Sequence, residues 1–323
     1  MRRSWFHCCY LLALVAAHRA GHAEALDRLR AVLAGQFAAD GSPRFRLIGA
    51  FQAMGGYPLC YAAERSDGDA RLAAAARHMR DFICSRPRAA NGAILYSDRT
   101  DLVLVDLIGM ACPFLAAYAR TFRDDEAMLL CRTYVEEFWR WNIDAETGLP
   151  VHGYKHGAAT GLGLKGWGRG VGWYTMGLAD TWAELGDEAD ETFRVRIADA
   201  LRRVFATLAR WQRGNGHWGE QIEGDEIRAD ASATAFCAYA LVRAARTGLI
   251  GEEFDPVIRA ALAALAQAMT PDGRIRGSSA EARGLGIVGV PLGTQPWTDA
   301  LAAAALLEAG ALPRLRGQTS GRG

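Results

Sequence analysis

Pro58-Leu-Cys-Tyr-Ala-Ala-Glu-Arg-Ser-Asp-Gly-Asp69 and Pro113-Phe-Leu-Ala-Ala-Tyr-Ala-Arg-Thr-Phe-Arg-Asp124 align without a gap, proline on proline, Arg65 on Arg120, Ser66 on Thr121 and Asp69 on Asp124. Each copy reads as a helix rich in small residues, a short polar turn and a longer amphipathic helix, over 69–84 after the first copy and 124–141 after the second. A repeated helical hairpin cannot bury its apolar face alone, so such units stack on one another to complete a core.

The pattern extends in both directions. Leu11 to Gly21 fits the first helix of a hairpin, with its partner over 22–37, and further first-type helices begin near Trp173, Ser232 and Thr298. The helices near Trp173 and Ser232 are followed by amphipathic partners over 190–212 and 254–269. First-type helices full of alanine, glycine and aromatic residues suit a crowded inner ring, and their charged amphipathic partners suit an outer one. The expected fold is therefore all-α, a closed (α/α)6 barrel of six hairpins occupying 1–312 as one domain. Its last inner helix, Thr298 to Ala309, is followed only by a polar, glycine-rich stretch over 313–323, which predicts a disordered tail and one missing outer helix. Short extended pieces are expected around Ala93–Tyr96 and Gly216–Ile222.

Bulk composition narrows the function. Half of the 323 residues are apolar, enough for a sizeable core, and 37 Lys plus Arg nearly cancel 36 Asp plus Glu. That balance argues against a nucleic-acid groove or a polybasic membrane surface as the main partner. Seven cysteines, at 8, 9, 60, 84, 112, 131 and 237, form no C-x-x-C pair and read as reduced thiols of a cytosolic protein. Met1-Arg2-Arg3, the apolar run Trp5 to Ala17 and a small-residue exit near Ala23 also resemble an export signal, but the run is too short to span a bilayer and fits the repeat as a first inner helix.

In such a barrel, the long loops joining outer helices to the next inner ones are the place for chemistry. Here they are 85–105, 142–172, 213–231 and 270–297. Gly166-Trp-Gly-Arg-Gly-Val-Gly-Trp-Tyr174 opens an inner helix with Trp167 and Arg169 at the loop-to-helix junction and Trp173 just inside. Indole faces stack on the apolar face of a pyranose, a guanidinium grips a carboxylate, and glycines let the chain approach closely, so the cluster reads as a sugar site; core packing is the competing explanation for the tryptophans. Asp106, in Val103-Leu-Val-Asp106-Leu-Ile-Gly, is a lone carboxylate in an apolar neighbourhood at the start of an inner helix, suited either to proton transfer or to capping that helix. His152-Gly-Tyr154-Lys155-His156 brings imidazoles, a phenol and an amine to the same loop as the tryptophans. Trp218 and Trp297, in loops leading to later inner helices, are candidate further walls. Gly161-Leu-Gly-Leu-Lys-Gly166 matches G-x-G-x-x-G, but no strand–helix unit surrounds it, so no dinucleotide is expected. His18 and His22 lack the glutamate and third ligand of a zinc helix, so neither a metal nor another cofactor is expected.

With these residues laid out, the chain resembles the unsaturated uronyl hydrolases of glycoside hydrolase families 88 and 105, which include unsaturated rhamnogalacturonyl hydrolases. The likeness rests on Asp106-Leu-Ile-Gly-Met-Ala-Cys-Pro-Phe-Leu, Thr147-Gly-Leu-Pro-Val-His-Gly-Tyr, Trp167-Gly-Arg-Gly-Val-Gly-Trp-Tyr and Ala229-Asp-Ala-Ser-Ala-Thr-Ala-Phe, in that order. It implies an (α/α)6 barrel and hydration of the C4–C5 double bond of a terminal unsaturated uronic acid, after which the hemiketal opens and the next sugar is released. It also implies one catalytic aspartate at Asp106 and a principal acid/base aspartate directly after the His-Gly-aromatic segment, where this chain has Lys155. Val105 stands where the resemblance implies an aromatic or histidine neighbour. The expectation is a hydrolase acting on a uronic-acid-containing oligosaccharide, with Asp106 doing the acid/base work, Lys155 binding or polarising the saccharide, and His152, Tyr154, Trp167, Arg169, Trp173, Trp218 and Trp297 forming the substrate site. A saccharide-binding barrel without turnover, or a lyase using Lys155 or Tyr154 as base, remain open alternatives.

Overall fold

In the computed structural model the described residues are 4–66, 68–98, 100–158, 161–186, 191–224, 227–282, 284–286, 290–312 and 315. The helices alternate between two rings. The inner ring comprises α1 (Trp5–Arg19), α3 (Gly56–Glu64, entered by a 3₁₀ turn at Ala50–Gly55), α5 and α6 (Asp106–Met110 and Cys112–Phe122), α8 (Gly168–Glu184), α10 (Ala231–Arg246) and α12 (Pro296–Gly310). The outer ring comprises α2 (Glu24–Ala34), α4 (Ala70–Cys84), α7 (Asp125–Asn142), α9 (Glu191–Trp211) and α11 (Asp255–Ala268). Each inner helix packs on its neighbours in turn, and α12 returns to α1 to close the barrel.

Burial separates the rings as their composition dictates. Along α10 every residue from Ala231 to Ala245 is buried, whereas α9 buries one stripe, Phe193, Ile197, Leu201, Val204 and Leu208, and leaves its charges outside. Small residues set the inner spacing: a Cβ on Gly109 would lie 2.8 Å from the Trp173 carbonyl oxygen, so α5 and α8 approach as closely as they do because position 109 has none. Pro113 enters α6 in its first turn and removes the backbone donor that would have bonded Gly109, so the inner helix breaks at Ala111. Asp69 and Asp124, the aligned acids of the repeat, cap α4 and α7 by accepting from Leu72 and Ala127 backbone N–H groups.

The helix boundaries follow the expected ones within a few residues, except that α1 begins at Trp5 rather than near Leu11 and α8 at Gly168 rather than Trp173. The extended pieces differ. Around 93–96 and 216–222 there are isolated bridges, Arg88 with Ile94, Trp167 with Gln221 and Gly219 with Ala229. A three-stranded antiparallel sheet forms instead from β1 (Leu102–Leu104), β2 (Val151–Lys155) and β3 (Leu162–Lys165), in the order β1-β2-β3. These strands are too short to show a period of two, and β2 and β3 are interrupted by glycine. Of the expected tail, Leu315 is buried beneath Leu312, and 313, 314 and 316–323 lie outside the described residues.

All inner helices run in the same direction. Toward their C-terminal ends they are tied by a buried polar network that reaches inward to Tyr57 and Tyr239: Arg19 bonds Glu308, Tyr57 and Tyr239; Asp180 accepts from Tyr239 and Arg243; and Glu184 accepts from Tyr57 and Arg120. Each charge has an opposite partner, as burial requires. The N-terminal ends meet at the other mouth, where the long loops lie. All seven cysteines are free thiols, six of them buried. Among the described residues, no helix is long and apolar enough to cross a membrane.

Candidate active site

The sheet assembles the site. Residue pairs Leu102–Lys155, Val103–Tyr154 and Leu104–Gly153 set the register, and the Val105 N–H donates to the His152 carbonyl at 2.9 Å. Gly153 is required there because a Cβ would meet Leu104 Cδ2 at 2.5 Å and the Val103 carbonyl oxygen at 2.6 Å. β1 runs directly into α5, so the first helical residue, Asp106, emerges beside His152. Between Val151 and Gly153 the β2–β3 pairing slips, a bulge that re-aims His152.

These residues open onto a cavity of about 280 Å³ at the N-terminal mouth of the inner ring. Asp106, His152, Trp167, Arg169 and Trp173 line it together, joined by Trp5, Tyr96, Leu102, Leu104 and Glu281. Asp106 is 8% exposed, and its Oδ2 accepts no hydrogen bond; His152 Nε2 lies 3.4 Å away. The side chain does not cap α5, so the capping alternative for Asp106 is set aside.

The aromatic residues take different parts from those their types suggest. His152 stacks on Trp167 with ring centroids 4.3 Å apart and planes at 27°, and the Arg169 guanidinium carbon lies 5.1 Å from the same indole. The indole face that the sequence offers to a pyranose thus carries an imidazole. Trp173 is 1% exposed and meets Trp5 and Phe236 edge-on, a wall rather than a platform. Trp297 backs the cavity, its ring 4.8 Å from Trp5 and 5.7 Å from the Arg169 guanidinium carbon.

Arg169 is buried and held by the protein itself. One terminal nitrogen donates to Ser279 Oγ at 2.7 Å and to the Ser279 carbonyl at 3.2 Å; the other donates to the Ala280 carbonyl at 3.1 Å. Burial pulls its pKa below the ordinary value, with Asp230, Asp106 and Glu281 opposing. Asp230, fully buried, accepts from the Ser232 and Ser279 backbone N–H groups at 2.8 and 3.0 Å and from both hydroxyls at 2.8 Å. Loop 270–297 is thereby fastened to the N-termini of α8 and α10, which fixes Glu281 two residues beyond Ser279.

Lys155, Tyr154 and Trp218 stand outside the cavity lining. Lys155 is exposed at the far end of β2, paired with Asp101 at 2.9 Å. Tyr154 is buried under the sheet, where its hydroxyl accepts from Asn91 at 2.9 Å and its ring faces Phe138. Trp218 is a core residue donating to the Leu208 carbonyl at 2.8 Å. The reverse holds for Trp5, Tyr96 and Glu281, which sequence reasoning missed. Trp5 fell in a segment that also resembles an export signal, and Tyr96 and Glu281 carry no motif, although both lie in loops marked as site-bearing. Burial, with Asp106 and Glu281 adding, holds the Tyr96 hydroxyl well above its ordinary pKa, so it is a neutral donor and acceptor.

Chemically, the cavity offers two carboxylates, an imidazole, a phenol and a fixed cation against indole walls. Among the described residues, no cluster of His, Cys, Asp or Glu has the geometry to hold a metal ion.

Comparison with known proteins agrees with this architecture. Over 130 residues the chain is 35% identical to Protein Atu3128 of Agrobacterium fabrum, a match that covers 37% of this chain and 54%, about half, of that protein. Its fold is that of a Klebsiella pneumoniae protein described as a possible member of family GH105, with a TM-score of 0.84 and 21% identity over 95% of this chain and 82% of the other. It also superposes on the Bacillus unsaturated glucuronyl hydrolase responsible for the degradation of glycosaminoglycan, with a TM-score of 0.60 and 16% identity over 94% of this chain and 96% of the other. Residues 2–309 match the family model described as Glycosyl Hydrolase Family 88. The chain belongs to glycosyl hydrolase family 88.

Proposed function

We propose that the protein hydrates the C4–C5 double bond of a terminal unsaturated uronic acid on an oligosaccharide, with Asp106 as the carboxylic acid that protonates C4. The observation that carries this reading is the Asp106 side chain: nearly buried, facing the cavity, with an oxygen that no hydrogen bond occupies and an imidazole 3.4 Å away. A carboxyl group so placed has capacity for a proton and a partner to orient it, as general acid catalysis requires.

The chemistry follows from the enol ether of the substrate. Proton transfer from Asp106 to C4 leaves a cation at C5 shared with the ring oxygen; water adds its oxygen to C5 and gives up a proton to a base in the cavity. The resulting hemiketal opens and the next sugar leaves. The N-terminal ends of the parallel inner helices point toward this mouth and favour bound negative charge by about 0.3–1 kcal/mol each in their first turn. With the cation of Arg169 they offset the two carboxylates against a uronate.

Membership of glycosyl hydrolase family 88 supports this reading over a binding barrel or a lyase. The test is to incubate the protein with Δ4,5-unsaturated uronyl oligosaccharides and follow the ultraviolet absorbance of the conjugated double bond. The absorbance is expected to fall. A rise on intact polyuronides would establish elimination instead, and sugar binding with neither change would establish a binding module.

A further inference from the structure

We propose that Glu281 is the base that takes the proton of the attacking water. The inference rests on the hydration reading above and assigns that site its second catalytic residue.

Hydration needs one group to give a proton and another site to receive one. Among the described residues the cavity is lined by two carboxylates, Asp106 and Glu281. They arrive from separate elements, Asp106 from the start of α5 and Glu281 from the loop after α11. Their exposure differs as their tasks would: Asp106 is buried in the floor, and Glu281 is solvent-exposed at the wall, where water enters. Glu281 is also fixed. Its Oε1 accepts from Trp5 Nε1 at 3.1 Å, and its backbone follows the Ser279–Ala280 segment that Arg169 and Asp230 hold down. The second oxygen, Oε2, accepts no hydrogen bond from any described residue.

The other basic groups are committed elsewhere. His152 is stacked on Trp167 with Nε2 against Asp106. Arg169 is spread over Ser279 and Ala280, and Lys155, at the position where the resemblance implies the water-activating aspartate, is an exposed ammonium neutralised by Asp101. The carboxylate that the resemblance implies at the end of β2 is thus matched by one supplied from loop 270–297.

The step balances. The carboxyl proton of Asp106 forms the C4–H bond, the water oxygen forms the C5–O bond, and the remaining water proton passes to the Glu281 carboxylate. Transfer through solvent from Glu281 back to Asp106 restores the starting state, with one water consumed and no oxidant or further reactant.

Glu281→Gln tests the assignment, because the amide keeps an acceptor for Trp5 Nε1 and removes only the proton acceptor. On a Δ4,5-unsaturated uronyl disaccharide, kcat is expected to fall roughly 10²-fold or more with KM within about threefold, as loss of a general base requires. The acidic limb of the kcat/KM profile should flatten, and sodium formate should restore turnover to Glu281→Ala. A Glu281→Gln protein retaining more than about a third of wild-type turnover would overturn the assignment while leaving the hydrolase reading intact. So would a change confined to KM without formate rescue, which would mark Glu281 as a substrate contact. Wild-type protein inactive on such substrates would overturn the hydrolase reading, and the assignment with it. Thermal unfolding of the variants should match wild type, since Glu281 lies outside the core.

Discussion

The His152 imidazole is clamped between Trp167, on which it stacks at 4.3 Å, and the Asp106 carboxylate, 3.4 Å from its Nε2. Asp106 opens α5 and His152 lies on β2, and the β1–β2 pairing brings them together. This contact gives His152 the geometry to position Asp106. His152→Phe keeps the stacking and removes the nitrogen; turnover is expected to fall roughly 10²-fold, with KM within about threefold and an altered pH profile of kcat/KM. Steady-state kinetics across pH check this, and an unchanged profile would remove the role.

Lys155 makes the opposite prediction. Its ammonium is exposed, ion-paired with Asp101 and outside the cavity lining. Exposed ion pairs contribute little to stability. Lys155→Met should leave kcat within about threefold and thermal stability nearly unchanged. A hundredfold loss of kcat would return Lys155 to the proton chemistry.

Asp230 tests how the site is held. It accepts from the backbone and hydroxyls of both Ser232 and Ser279, and those serines bond Arg169. Asp230→Ala leaves those donors unpaired and removes the carboxylate that most opposes the burial of the Arg169 charge, at a cost of about 3–5 kcal/mol. The protein should melt roughly 4–7 °C lower. Calorimetry measures this; a shift under about 2 °C would show that the network is not what fastens the loop.

His217 supplies a pH dependence. Burial lowers its pKa, only partly opposed by Asp230, and its Nδ1 lies 3.1 Å from Thr234 Oγ1. The folded state therefore keeps the ring neutral at pH values where the unfolded chain takes up a proton. Its contribution is present above the unfolded value of about 6.5 and is lost as pH falls below it, because protons then bind preferentially to the unfolded state. Denaturant midpoints between pH 7.5 and 5.5 should fall less steeply for His217→Gln than for wild type.

The fold was largely legible because its signal is repetitive. The Pro58 and Pro113 segments, their capping aspartates and the contrast between alanine-rich and amphipathic helices all report periodic burial, which a linear sequence preserves. The cavity lining was legible where residues sit at or near the start of an inner helix, as Asp106, Trp167, Arg169 and Trp173 do, and at His152 on β2. Residue type misled elsewhere. Trp218 and Tyr154 share the composition of a sugar site and are buried by neighbours far away in sequence, and Lys155 follows the His-Gly-aromatic segment yet ends its strand facing solvent. Glu281 is the converse case, a lone glutamate whose importance depends on Trp5, some 276 positions away, and on a loop tethered by a buried aspartate.

The most direct measurement of the central claim compares wild type with Asp106→Asn on one Δ4,5-unsaturated uronyl disaccharide, following double-bond loss and binding in parallel. The variant is expected to lose turnover by roughly 10³-fold or more while its Kd stays within about tenfold, equivalent to about 1.4 kcal/mol, because the substitution removes a proton carrier more than a contact. An Asp106→Asn protein that still hydrates the double bond at more than about a tenth of the wild-type rate would contradict that claim.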